Sequence, residues 1–276
     1  MPHGSSTLTN HHTDASLAPL AKRIRMTVLR ESKRAGVGHI GSALSVTEII
    51  AALYGQVMRV TDPGHPDRDR FVLSKGHAAL ALYAALCERG WIDEATLATY
   101  CGDDTILGVH PDHALPGVDF STGSLGQGLA FGAGAALAAT LSGSNRRVFV
   151  LVSDAECNEG SLWESVMFAA QQTLSNLVAI VDANGQQALD HTARVLDLSP
   201  LEQRWAAFGW RTHVVDGHDL DQLTGALTST SAREPQVVVA RTVFGKGVSF
   251  MEGRIKWHYM PMNDDEYRQA VAEVDG

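Results

Sequence analysis

Two apolar runs, VFVLV (Val148–Val152) and LVAIV (Leu177–Val181), each give way to an aspartate, and the second is followed almost at once by Asn184. Asp154 and Asn184 are separated by one strand-helix-strand crossover. Both therefore fall at the carboxyl ends of neighbouring or near-neighbouring strands, where open α/β sheets bind their ligands. A carboxylate, an amide oxygen and a main-chain carbonyl just beyond Asn184 are hard oxygen donors. They suit Mg2+ or Ca2+, with phosphate oxygens and water completing the shell. A helix cap at Asp154 and a turn at Asn184 fit the spacing equally well.

Thr122–Gly128, TGSLGQG, is a glycine-rich turn that opens a helix of small residues. Its backbone N–H groups can approach a phosphate or a flat ring closely, and close packing would also explain the glycines. It lacks the Gly-Lys-Ser/Thr of a Walker loop and the spacing of the dinucleotide fingerprint. Four histidines stand beside glycine, proline or loop residues: His39 in GHIGS, His77 in SKGHA, His110 in GVHPD and His258 in KWHYM. One such histidine is readily structural. Four that converge on one rim would donate to phosphate and hydroxyl oxygens and shuttle protons near neutral pH.

The elements that must position these residues alternate. RFVLS (Arg70–Ser74), Val148–Val152, Leu177–Val181, Arg211–Val215 and Gln236–Ala240 read as strands; ALALYAALCERG, Gly126–Leu141, Ser161–Thr173, Leu201–Phe208 and Leu220–Thr228 read as the helices between them. Continuous Val/Ile/Leu strands alternating with helices predict a mainly parallel sheet covered on both faces. Leu17–Ala35 reads as a surface helix with clustered Lys and Arg, a solvated or partner-contacting face. Asn263–Asp265 is placed to cap a terminal helix. No Pro, Gly or Ser linker divides the chain, so residues 17–276 are expected to form one α/β domain. Met1 to Ser16 is expected to be a disordered leader, in which His11 and His12 read as solvated rather than metal-binding.

With 276 residues, 45% hydrophobic and 19% charged, the chain can bury a large core. A net charge of −9 argues against a nucleic-acid or anionic-membrane surface as its main business. Three widely spaced cysteines, Cys87, Cys101 and Cys157, provide neither a disulfide framework nor a zinc site. No apolar run approaches the roughly 20 residues of a membrane span. A reducing cytoplasm is the expected compartment.

The run from Asp154 through Glu156, Cys157, Glu159, Gly160, Trp163 and Glu164 to Asn184-Gly185 resembles the thiamine-diphosphate motif of transketolases, GDG or GDA followed by E-C-x-E-G and ending in Asn. RDRFVLSKGHAALALY, PGVDFSTGSLGQGL, WAAFGW, VDGHD, GKGVSFME and the final WH with NDDEY resemble transketolase segments as well, from about Leu17 to the C-terminus. The resemblance implies the diphosphate-binding (PP) fold. It also implies the N-terminal subunit of a split transketolase, because the pyrimidine-binding and C-terminal domains of a full transketolase have no counterpart here. A second subunit would supply them, including the glutamate that activates the aminopyrimidine, and two heterodimers would form a heterotetramer.

By that resemblance Asp154, Asn184 and the carbonyl of Gln186 would hold Mg2+ on the cofactor diphosphate. The Ala155 N–H, His77 and His258 would face the diphosphate or its neighbourhood. Gly123, Ser124 and Leu125 would line the aminopyrimidine and thiazolium, and Glu159 and Glu164 would sit at the subunit contact. His39, His77, His110 and His258 would surround the donor's oxygens. The implied reaction moves a two-carbon ketol unit from a ketose phosphate to an aldose phosphate or a carrier-bound acceptor. The alternatives are a 2-oxo-acid decarboxylating component and a non-catalytic regulatory chain; retention of SKGHA, of SLGQG and of the four histidines speaks against both.

The sequence also departs from the family pattern. Ser153 stands where glycine is usual, a change that tightens the turn. NGQQALDHT replaces N-G-L-Q-I-D-G-P-T, which makes Gln186 polar, cuts an isoleucine shelf to Ala188 and removes the D-G-P turn. Tyr259 follows His258 where glycine is usual and adds bulk near the substrate mouth. An altered donor or acceptor is the expected consequence.

Overall fold

The computed structural model describes residues 17–229, 231 and 233–276; the expected leader and the His11-His12 pair lie outside them. The strands β1 (Arg70–Leu73), β2 (Val148–Ser153), β3 (Leu177–Ala183), β4 (Arg211–Asp216) and β5 (Gln236–Arg241) form one sheet in the order β1-β2-β3-β5-β4. Every pairing is parallel. β2 and β3 are adjacent, with Ser153 opposite Asp182, so Asp154 and Asn184 leave the sheet side by side.

The alternation of side chains along the strands divides the interior in two. Phe71, Leu73, Phe149, Leu151, Val178, Ile180 and Val238 point to one face, where they are buried with Ile24, Val28, Ile49 and Leu223 from the helices Leu17–Ala35, Thr47–Ala52 and Leu220–Thr228. Val72, Val148, Val150, Val152, Ala179, Val181 and Val237 point to the other, beneath Gly128–Leu141, Gly160–Gln171 and Leu201–Ala207. A parallel sheet needs both faces covered, which is why β2 and β3 are apolar without alternation. Each Val, Leu or Ile buried in this way contributes about 2 kcal/mol. The edge strand β4 keeps Val214 44% exposed.

Gly128–Leu141 is rich in Gly and Ala because it lies directly on the sheet: a Cβ on Gly132 would meet Val150 Cγ2 at 2.2 Å. Asn263 caps Asp264–Asp275 with Glu266 in a reciprocal capping box, as its position predicts. Two helices carry no readable signal in the sequence. Ile40–Ser45 and Thr47–Ala52 are buried on every side, so they have no polar stripe from which a helical period could be read. No helix among the described residues is long and apolar enough to cross a membrane.

Candidate active site

A cleft of about 320 Å3 opens beyond the carboxyl ends of the strands. His39, His77, His110, Gly123, Leu125, Ala155, Glu159, Asn184, Gln186 and His258 line it, together with Ser42, Lys75 and Ala188. Distant stretches of chain thus meet on one rim. Asp154 borders an adjoining cavity of about 380 Å3 that also contains Gly185 and Leu198; Asn158 faces both cavities, so Asp154 stands at the partition. Ser124 is exposed within the glycine turn, and Glu164 is exposed on Gly160–Gln171, away from the cleft lining.

Three imidazoles form a triangle. The ring centroids of His39 and His258 are 5.0 Å apart, and each lies 5.5 Å from that of His77. His39 sits at φ 61° before Ile40–Ser45, and its N–H donates to the His258 carbonyl at 3.1 Å, which locks two distant segments together. His110 packs instead on Gly123, where a Cβ would lie 3.0 Å from its ring. Burial, assisted by Lys75 and the neighbouring imidazoles, holds His77 well below the usual histidine range. Burial, with His39 and Lys75, brings His258 down to about 4. Burial and His110 lower His39. The triangle is therefore uncharged at neutral pH, and each ring donates one N–H and accepts at its other nitrogen.

The acidic end is built from strand termini. Asp154 accepts from the Ala155 N–H at 2.9 Å and from the Gly185 N–H at 2.8 Å. The Ala155 amide, expected at the diphosphate, is thus turned to the carboxylate before it. No ion pair among the described residues involves Asp154, and burial together with the nearby Asp182 pushes its carboxyl up to about 7. Asn184 Oδ1 accepts from the Gln186 N–H at 2.9 Å, while its Nδ2 donates to Asp182 at 2.9 Å. An acid destabilised by burial and by the neighbouring Asp182, beside an amide oxygen and a main-chain carbonyl, is a donor set that fits a hard divalent cation. No three His, Cys, Asp or Glu side chains among the described residues group to hold a metal by themselves. The buried His39 Nδ1 and Gln186 Oε1 lack partners, which fits a cleft shaped for a polar guest.

Ser153 and Glu156 explain one departure from the family pattern. The Glu156 N–H donates to Ser153 Oγ at 3.1 Å, and the Ser153 N–H donates to Glu156 Oε2 at 2.9 Å. This is a capping box at the turn that carries Asp154. Glu156 Oε1 also accepts from Ser74 Oγ and, at 3.0 Å, from the Gly126 N–H. One fully buried carboxylate thereby ties the end of β2, the residue before Lys75 and the glycine turn. Gly126 adopts φ +81°, and a Cβ there would lie 2.5 Å from Glu159, so the turn needs glycine for both conformation and space.

Sequence reading missed Lys75, Asp182 and Ser42 as parts of the site, and took Glu156 only as a position of the motif. Lys75 lies inside SKGHA and Asp182 ends the second apolar run, so a charge at the end of a fully buried strand was the available signal.

The chain matches the model of the family described as "Transketolase, thiamine diphosphate binding domain" over residues 17–274. It is 39% identical over 260 residues to the 6-deoxy-6-sulfo-D-fructose transketolase subunit SqwG of Clostridium sp. (strain MSTE9), covering 92% of this chain and 94% of that protein. It is 41% identical over 259 residues to an apulose-4-phosphate transketolase subunit from Actinobacillus succinogenes, covering 92% and 93%. Among solved structures, transketolase from Leishmania mexicana superposes with a TM-score of 0.87 at 28% identity, covering 95% of this chain and 41% of that much longer one.

Proposed function

The chain belongs to the transketolase family, and from that premise we propose that it is the diphosphate-binding subunit of a two-component, thiamine-diphosphate- and Mg2+-dependent transketolase. The reaction transfers a two-carbon ketol unit from an anionic ketose, such as a ketose phosphate, to an aldose phosphate or a carrier-bound acceptor. A triangle of neutral imidazoles beside an acid-amide pair at adjacent strand ends carries the reading. Two relatives that match along nearly their whole length are named as subunits, and both names specify a ketose bearing a sulfo or phosphate group. They support a partner chain and an anionic donor; that partner would supply the pyrimidine-binding and C-terminal domains.

When bound, thiamine diphosphate would supply the carbon nucleophile and Mg2+ would neutralise the charge of its diphosphate. This chain's residues would hold the diphosphate end and surround the donor. Asp154, the Asn184 amide oxygen and the Gln186 carbonyl would hold the cation. Gly123 and Leu125 would present the glycine turn to the cofactor rings, and Ser124 stands exposed beside them. The neutral rings of His39, His77 and His258 donate N–H groups to the donor's carbonyl and hydroxyl oxygens, stabilising negative charge as it develops on them. Their free nitrogens accept the hydroxyl proton released when the carbon–carbon bond breaks. Burial keeps the rings neutral, so both operations are available at pH 7. His110, on Gly123, closes the same cleft from the side of the turn. Glu159, exposed on the rim, and Glu164 face outward, where a partner chain would meet the cofactor.

Reconstitution with the partner tests this reading. Ketose phosphate cleavage that requires both chains, thiamine diphosphate and Mg2+ is the expected result. Turnover of pyruvate instead would identify a decarboxylating component, and absence of cofactor binding would identify a regulatory one.

A further inference from the structure

Asp182 stands near the end of β3, just before the loop that carries Asn184, and it is completely buried. Four side chains donate to its carboxylate: Ser45 Oγ at 2.7 Å, Asn184 Nδ2 at 2.9 Å, and the closer Lys75 Nζ and Thr242 Oγ1. Lys75 is as deeply buried as its partner, and its ammonium also faces the Ser42 carbonyl at 3.5 Å.

Each of these donors belongs to a segment that delivers part of the cleft. Ser45 ends the helix that begins after His39; Lys75 lies two residues before His77; Thr242 begins the segment that leads from β5 to His258; Asn184 is one of the oxygen donors themselves. An uncompensated charge at either position would be costly so far from water, so neither residue is dispensable ballast. A pair held only for stability would be replaced by apolar side chains at no loss, whereas this one contacts the donor amide directly. Because Asp182 accepts from Nδ2, the Asn184 amide cannot rotate, and Oδ1 is the atom it presents away from the strand.

We propose that the buried Lys75–Asp182 pair is the positioning hub of the site: it sets the rotamer of Asn184 for the divalent cation and holds the segments of His39, His77 and His258 in register with it. The inference rests on the two-component transketolase reading and extends it to a buried pair of which only Lys75 reaches the cleft lining. Lys75 and Asp182 are positioning residues, acting through Asn184 and the imidazoles.

The test uses the reconstituted pair of subunits with thiamine diphosphate, and Mn2+ as the probe, titrated by electron paramagnetic resonance. The double replacement Lys75→Met with Asp182→Leu removes both charges together and leaves no unpaired ion. Mn2+ affinity should fall by about tenfold or more, while the melting temperature without metal stays within a few degrees of the parent. Unchanged Mn2+ affinity in a folded double variant overturns the hub. Should that variant fail to fold, Thr242→Val, which removes one donor to Asp182, carries the test: a loss of Mn2+ affinity of about threefold supports the hub, and parental affinity overturns it. Failure of the wild-type pair to bind Mn2+ with thiamine diphosphate would instead strike the functional reading itself, and the hub with it.

Discussion

The hydroxyl of Tyr259 donates to the main-chain carbonyl of Ala188 at 2.5 Å, so a side chain adjacent to His258 reaches across to the loop beyond Gln186. Ala188 and His258 both line the cleft. These are positions where the sequence departs from the transketolase pattern in opposite senses, with bulk lost at 188 and gained at 259. The structure joins the two departures through one hydrogen bond, and Tyr259 also packs its ring edge on His258, with centroids 4.9 Å apart.

Removing the Tyr259 side chain should relax substrate choice. In Tyr259→Gly the ratio of kcat/KM for a bulky ketose phosphate over a small one should rise by about tenfold, the size of effect that one apolar group exerts in a pocket. Tyr259→Phe keeps the ring and loses the bridge, so it should fall between. A donor series assayed on the reconstituted enzyme decides; the same ratio in all three proteins would remove Tyr259 from specificity.

Asp154→Ala should weaken Mg2+-dependent binding of thiamine diphosphate by more than about a hundredfold, ~3 kcal/mol, because it removes the only charged member of the donor set. Calorimetric titration with and without Mg2+ reads this directly. Parental affinity would place the cation elsewhere.

His258→Ala should separate binding from turnover. If the ring acts on the donor rather than the cofactor, as proposed, cofactor affinity should stay within a few-fold while kcat falls by about a hundredfold. Equal losses in both would mean that His258 supports the cofactor.

The same imidazole should leave a mark on acid stability. Its folded value, about 4, lies below the ordinary 6.5. Between those limits the unfolded chain therefore takes up a proton that the folded chain refuses. Stability from this group is complete above pH 6.5 and is lost as pH falls toward 4. Partial exposure of the ring screens the effect to roughly 1 kcal/mol at about pH 5. Urea unfolding at about pH 7.5 and about pH 5 should accordingly show a smaller difference for His258→Asn than for the parent; parallel curves would refute a depressed His258.

Glu156→Ala should destabilise the protein by about 3 kcal/mol or more, since it strands the Gly126 and Ser153 N–H groups in the interior. Ser153→Gly restores the residue usual in the family yet loses one arm of the capping box, and should cost about 1 kcal/mol. Chemical denaturation of both variants provides the check, and a neutral Glu156→Ala would show that the clamp contributes nothing.

Most of the fold is legible in the residues alone. The strands Val148–Ser153, Leu177–Ala183 and Gln236–Arg241 contain continuous apolar runs, VFVLV, LVAIV and VVVA, and only a sheet covered on both faces accommodates such runs. The amphipathic Leu17–Ala35 and Leu220–Thr228 announce themselves by their period. Ile40–Ser45 and Thr47–Ala52 escape notice because complete burial erases periodicity. Of the site, His39, His77, His110, His258, Asp154 and Asn184 stand out as polar residues beside glycines or at strand ends, where chemistry rather than packing explains them.

Sequence by itself determined the parallel sheet, the strand ends at which an acid and an amide emerge, and membership of a thiamine-diphosphate family, because these depend on residue type and on spacing within a short stretch. Tertiary structure alone decided that three of the four histidines form a triangle while His110 sits on Gly123, that Tyr259 closes on Ala188, and that Lys75 meets Asp182 across a separation of 107 residues. Those contacts join segments far apart in sequence, and their energies come from burial and charge pairing that no local pattern of residues encodes.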